Sequence, residues 1–71
     1  MQSKLISILV NGEPKDVAPN QSVSALLGSL KIAPDRVAVE LNKSIVRSRD
    51  WEKTIVANGS HIEVVEFVGG G

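Results

Sequence analysis

The spacing of apolar residues is helical in one stretch of this chain and strand-like elsewhere, and that pattern limits the folds open to it. Most of the apolar residues fall in short runs, several of which alternate with polar residues as strands do. In one stretch four apolar residues instead recur at intervals of three and four, the pattern of an amphipathic helix. These four are Val23, Leu26, Leu27 and Leu30. With Ser22 as a suitable N-cap, the sequence predicts one helix near residues 22–31 in an otherwise β-rich chain.

A hairpin is predicted before the helix. Asn11-Gly12 is the strongest two-residue hairpin signal, because both central positions of a type I′ turn need positive φ. It joins predicted strands at residues 4–10 and 13–17. Pro14 has no N–H to give to a neighbouring strand, so the second strand should lie at a sheet edge.

Three further strands are predicted after the helix, at residues 37–41, 44–46 and 62–68, the last preceded by a turn at Asn58-Gly59. Strands and a single helix in this order indicate an α+β fold, in which the helix covers one face of a small mixed sheet. The regular alternation of strand and helix that builds a doubly wound nucleotide-binding fold is absent from the pattern.

Composition narrows the class of protein. A length of 71 residues suits a single domain over residues 1–71. Eight basic and eight acidic residues give a net charge of +0, so no basic excess exists to bind nucleic acid or an anionic membrane surface. The chain has no Cys, which excludes disulfides, thiolate catalysis and Cys-ligated metals. No signal peptide or membrane-spanning segment is recognised, and we expect a cytoplasmic protein.

Few side chains could carry catalysis. His61 is the single His of the sequence and shares a strand face with Glu63, which predicts a solvated surface pair rather than a catalytic or metal-binding group. Trp51 is expected to fill the core or a sheet edge, since stacking on nucleic acid ordinarily uses several aromatic residues. We therefore expect no catalytic residues and no metal site in this chain.

The three glycines at residues 69–71 are the most informative feature for function. Glycine makes up about 7% of residues in proteins generally, so a given run of three has a chance of roughly 3 in 10,000. Glycine has no Cβ, so such a tail can thread through a narrow channel, and an α-carboxyl group is ionised at pH 7. A partner enzyme could let the Gly71 carboxylate attack the α-phosphate of ATP, after which a sulfur nucleophile would displace AMP. A flexible linker is the alternative, although linkers usually also contain Ser.

Over nearly its whole length the chain resembles the ThiS family, the sulfur carrier proteins of thiamine biosynthesis. The matching segments are Val10-Asn11-Gly12-Glu13, Ser22-Val23-Ser24-Ala25-Leu26-Leu27, Val37-Ala38-Val39-Glu40-Leu41-Asn42, Ile45-Val46, Trp51, Asn58-Gly59 and residues 62–71. One departure is Arg47-Ser48-Arg49, where many relatives have Pro-Arg.

The resemblance implies a β-grasp (ubiquitin-like) fold and a role as protein substrate rather than enzyme. A ThiF-type adenylating enzyme would use ATP to activate the Gly71 carboxylate, and a sulfur donor system would convert it to a thiocarboxylate. The product would be presented to a ThiG-type thiazole synthase. Gly69 and Gly70 would thread into the partner as part of a flexible tail at residues 68–71. No cofactor would be stably bound.

The same resemblance places a docking patch. In a β-grasp fold the last strand lies beside the first at the sheet centre, so Ile62 and Val64 would face the helix. Val65 and Phe67 would then face the opposite side, near the tail, as an apolar patch for a partner. The alternative is that Phe67 packs on the edge of its own sheet.

Three other functions share this fold. The small subunit of molybdopterin synthase has the same chemistry, but such relatives tend to carry a Pro-rich segment that residues 66–68 lack. The others are a ubiquitin-like modifier joined to lysines and a non-catalytic interaction domain with an incidental glycine tail. All carrier chemistry requires the native chain to stop at Gly71, because further residues would block activation.

Overall fold

A five-stranded mixed sheet with one α-helix forms the body of the protein. The structure, a computed structural model, describes residues 4–67. Its strands are β1 (Ile6–Val10), β2 (Glu13–Val17), β3 (Val37–Leu41), β4 (Ser44–Val46) and β5 (His61–Glu66), and helix α1 is Val23–Ser29. Short 3-10 helices lie at Pro34–Arg36 and Ser48–Asp50. The predicted order of elements is confirmed.

The sheet order is β2-β1-β5-β3-β4. The two central neighbours β1 and β5 run parallel, whereas the β1–β2, β3–β5 and β3–β4 pairs are antiparallel. Strand β2, which contains Pro14, lies at an edge, where its missing N–H leaves no ladder bond unmade. The last strand lies beside the first, and the predicted α+β, β-grasp arrangement is confirmed. Helix α1 is too short and too polar to cross a membrane.

The core lies between α1 and one face of the sheet. Val23, Leu26 and Leu27 of the helix are buried, and they share one apolar cluster with strand residues. The buried members outside the helix are Ile8, Val10, Val37, Val39, Trp51, Val56 and Ile62, with Val64 partly buried against them. We call the opposite, uncovered side of the sheet the open face.

Trp51 fills this core, as predicted. Its ring is buried, and its Nε1 donates a hydrogen bond of 2.9 Å to the carbonyl oxygen of Val46. A buried indole needs such an acceptor. The bond also ties the loop after β4 to the body of the protein.

Helix α1 begins as predicted but ends earlier. The Oγ of Ser22 accepts a 3.0 Å hydrogen bond from the Ala25 N–H, which makes it the N-cap. At the other end Lys31 has φ 62°, the left-handed conformation. Its N–H donates to the Gly28 carbonyl at 3.1 Å, and Ile32 N–H donates to Leu27 at 2.9 Å. This pair of bonds is a Schellman motif, which stops the helix before residue 31.

Replacing Lys31 by Gly should stabilise the protein, because a side chain in the left-handed region costs about 1 kcal/mol that glycine avoids. Urea denaturation should show a higher midpoint with an unchanged slope. Ser29→Gly, inside the helix, should instead lower the midpoint. A loss of stability in Lys31→Gly would mean that the left-handed turn is not what ends α1.

Candidate functional site

The carboxyl end of β5 is the candidate site, since the glycine tail follows it. Antiparallel pairing with β3 extends along the whole strand to Val37↔Glu66, and the Phe67 N–H donates to the Arg36 carbonyl oxygen at 2.8 Å. The predicted tail, including Gly69, Gly70 and Gly71, lies outside the described residues. The last residue that the structure describes before the glycines is Phe67.

The two predicted docking residues are exposed at this end. Ile62 is fully buried and Val64 packs against the core, whereas Val65 and Phe67 are each 58% exposed. Strand alternation accordingly places Val65 on the open face, where its cross-strand partner is Ala38. At 58% exposed, Phe67 is not part of the core. The binding role of both residues stays a prediction.

A third exposed apolar side chain, Ile45 of β4, was not anticipated from the sequence. It is 74% exposed and pairs with Glu40, which in turn pairs with Glu63. Residues directly opposite each other share a face, so Ile45 lies on the open face two strands from β5. Its pairing with Glu40 depends on register across strands, which local spacing does not reveal. We give the name open-face patch to Ile45 and Val65, which lie on the open face, together with the exposed Phe67 directly after β5.

Two carboxylates lie beside this patch. Glu40 and Glu63 are exposed and directly opposite each other on neighbouring strands, an arrangement of like charges that costs stability. Neither makes an ion pair within residues 4–67. His61, next to Glu63 on the same face, is exposed as the surface-pair prediction required. In this part of the chain no three His, Asp or Glu side chains converge as metal ligands would.

The comparison with protein families identifies the chain's relatives. The family model described as the ThiS family matches residues 8–71, so the match runs through the glycine tail. A crystal structure of a thiamine biosynthesis protein (ThiS) from Geobacter metallireducens is 36% identical, with a TM-score of 0.82, and covers 93% of this chain and 100% of that chain. An NMR solution structure from the same organism has a TM-score of 0.77.

The chain resembles part of some longer proteins and the whole of another protein of similar length. The chain is 36% identical over 66 residues to a thiazole synthase of Paramagnetospirillum magneticum, but it spans 20% of that protein's length. The same share applies to a thiazole synthase of Magnetococcus marinus, at 38% identity. The uncharacterized protein ycf40 of Porphyra purpurea is 34% identical over 71 residues and is covered completely. The family match and the solved structures together support a sulfur carrier role. The resemblance seen in the sequence is thereby confirmed, and the chain belongs to the ThiS family.

Proposed function

We propose that this protein carries sulfur as a thiocarboxylate on Gly71 and supplies it for thiazole formation in thiamine biosynthesis. The observation that carries the proposal is the ThiS family match, which includes the three terminal glycines. The chain itself acts as a substrate, and its chemistry is performed by partner enzymes. A cytoplasmic location and the lack of a stably bound cofactor belong to the same proposal.

The chemistry proceeds in two steps on the partner. An oxygen of the Gly71 carboxylate attacks the α-phosphorus of ATP, the α–β phosphoanhydride bond breaks, and pyrophosphate leaves. Hydrosulfide from the sulfur donor system then attacks the carbonyl carbon, AMP leaves with the original oxygen, and a proton is released. The net change is one terminal oxygen replaced by sulfur, with no oxidation or reduction.

The geometry of β5 suits a substrate that must reach into another protein. The strand is held at the centre of the sheet, and backbone bonds extend to Phe67. The four residues from 68 to 71 can span at most about 14 Å when extended. A partner that contacts Phe67 must therefore have its adenylation site within about 14 Å of that contact. The open-face patch includes Phe67, the residue directly before this four-residue segment, and we propose the patch as the docking surface for the partner.

The comparisons also support a proposal for the acceptor of the sulfur. Two thiazole synthases contain a segment similar to this chain as about one fifth of their length. Having a carrier-like segment and a thiazole synthase in one chain would keep donor and acceptor at high effective concentration. We therefore propose a ThiG-type thiazole synthase as the acceptor and a ThiF-type enzyme as the activator. The solved relatives are thiamine biosynthesis proteins, which favours this pathway over the molybdopterin alternative.

The direct test is incubation of the protein with a ThiF-type adenylating enzyme, ATP and sulfide. The expected product is a thiocarboxylate at Gly71. Intact mass alone is ambiguous, because oxidation of Met1 adds nearly the same mass as exchange of oxygen for sulfur. The change must therefore be located in the C-terminal peptide, or trapped with an alkylating reagent. The absence of Cys makes that trapping specific. An unmodified C-terminal peptide would contradict the proposal, and a bond to lysine would favour a modifier.

Phe67→Ala should weaken binding to the adenylating enzyme while leaving the fold intact. Truncation of a central aromatic residue at an interface costs about 2 kcal/mol, or roughly a thirtyfold rise in Kd. Isothermal titration calorimetry measures this change. Ile55→Ala is the matched control, since Ile55 is 54% exposed but lies near the start of α1, where it bridges to Ser22. Unchanged affinity with lowered stability in Phe67→Ala would show that Phe67 serves the core.

A further inference from the structure

We propose that Asn11 is a positioning residue for the reactive tail, acting through the carboxyl end of β5. Its side-chain amide takes the place of the backbone carbonyl and N–H that a longer β1 would offer to β5. The inference rests on the proposed function, since it assigns Asn11 a part in bringing Gly71 to the partner's active site. It concerns a residue that lies in a turn and touches no reacting atom.

The ladder between β1 and β5 is short because the chain turns away. Asn11 has φ 51° and Gly12 has φ 83°, so β1 ends at Val10 and leads into the hairpin. The Asn11 N–H still donates to the Ile62 carbonyl oxygen at 2.9 Å. In a longer parallel ladder, the next bond would run from the Val64 N–H to a main-chain carbonyl of β1.

The side chain of Asn11 supplies the bonds that the turned backbone cannot. Its Oδ1 accepts a hydrogen bond from the Val64 N–H at 2.8 Å. Its Nδ2 donates to the Val64 carbonyl oxygen at 3.3 Å. One carboxamide thus offers an acceptor and a donor to the same residue, a pair of bonds that two successive peptide groups of a continuing parallel strand would share.

The register shows that Asn11 bonds to the edge of β5 that faces β1, whereas β3 bonds to the opposite edge. The bonds Phe67 N–H to Arg36 and Asn42 N–H to His61 fix which residues of β5 bond to β3. They are the odd-numbered ones, so the N–H and C=O of Val64 point toward β1. Backbone pairing with β1 reaches only Ile62. Asn11 therefore secures β5 on this side two residues nearer the tail.

The consequence for the reaction follows from the short reach of the tail. Residues 68–71 span at most about 14 Å. A tail that is nearly extended inside a partner cannot lengthen to compensate for a displacement of the strand end. A displacement of the strand end then also displaces the Gly71 carboxylate. Misplacement of a reacting atom by 1 Å can lower the reaction rate about 100-fold. A strand end held from both sides keeps Val65, Phe67 and the start of the tail in one fixed relation.

Turn geometry alone does not require the amide at this position. Gly and Asp also tolerate positive φ. Gly would keep the turn but remove both bonds to Val64. Asp would keep an acceptor for the Val64 N–H and lose the donor to its carbonyl. These two replacements separate the turn from the bonds that the side chain makes.

The chain contains a matched control at the opposite end of the same strand. Asn42 also has positive φ, 53°, and its Oδ1 accepts from the His61 N–H at 2.8 Å. Asn42→Gly therefore makes the same chemical change in the same kind of turn, but it releases the beginning of β5 rather than the end near the tail.

The experiment compares the full chain with Asn11→Gly, Asn11→Asp and Asn42→Gly in thiocarboxylate formation by the adenylating enzyme. Temperatures are chosen from thermal unfolding so that every variant is folded. We expect Asn11→Gly to lower kcat about tenfold with a smaller change in KM, Asn11→Asp to keep more of the rate, and Asn42→Gly to stay within about twofold of the parent. Amide exchange measured by NMR should quicken at Val64 in Asn11→Gly only.

The outcomes separate the two proposals. A parent chain that forms no thiocarboxylate overturns the proposed function and, with it, the part assigned to Asn11. A parent that reacts while both glycine variants lose rate equally overturns the positioning role alone. Unchanged protection of the Val64 amide in Asn11→Gly would overturn it as well, because the strand end would then be held by something else.

Discussion

Removing Gly71, or adding one residue after it, should lower thiocarboxylate formation by at least about 100-fold. Each residue of an extended chain spans about 3.5 Å, which equals the whole distance between reacting atoms that are ready to bond. A one-residue change in length therefore moves the carboxylate off the α-phosphorus or blocks it. Mass analysis of the C-terminal peptide, with all variants in parallel reactions, measures the loss.

The repeated glycine makes this experiment a test of length. Deletion of any one residue among 69–71 yields the same sequence, so no particular glycine is singled out. Gly71→Ala is the matched control, because it keeps the length and adds one methyl group. We expect it to retain more activity than either length variant. Efficient thiolation of the extended chain would remove the main physical support for a carrier that is selected by its tail.

Local chemistry explains the parts of the fold that could be predicted from the sequence. The Asn11-Gly12 turn was predicted because two adjacent positive φ values suit few residue pairs, and both values are observed. The end of α1 was placed too late. Lys31 takes a position that glycine usually occupies, so no glycine marks the stop.

Long-range register explains the parts of the site that could not be predicted. The exposure of Val65 follows from alternation once β5 is known to be central. The pairing of Asn11 with Val64 joins residues 53 positions apart, and no spacing within either segment encodes it. The face of Ile45 likewise depends on which residue of β3 lies opposite. Sequence patterns can give the side on which a residue lies more readily than the neighbour it meets.

Leu26→Ala should cost about 2–5 kcal/mol in the free energy of unfolding, the range for a fully buried leucine. Leu26 has 0% of its surface exposed. Helix α1 has seven residues, including Gly28, and is too short to be stable without packing. At roughly 0.05–0.15 kcal/mol per residue, the whole protein is stabilised by only about 4–11 kcal/mol. Urea denaturation of parent and variant gives the difference.

Leu5→Ala provides the control, because Leu5 is 58% exposed and the same truncation there should change stability by less than about 0.5 kcal/mol. A cost below about 1 kcal/mol for Leu26→Ala would mean that the helix face is misassigned. The variant also separates stability from chemistry. Leu26 lies in the core between α1 and the covered face of the sheet, opposite the open face. At temperatures where Leu26→Ala stays folded, its rate of thiocarboxylate formation should match the parent; at higher temperatures the rate should fall only in proportion to the folded fraction.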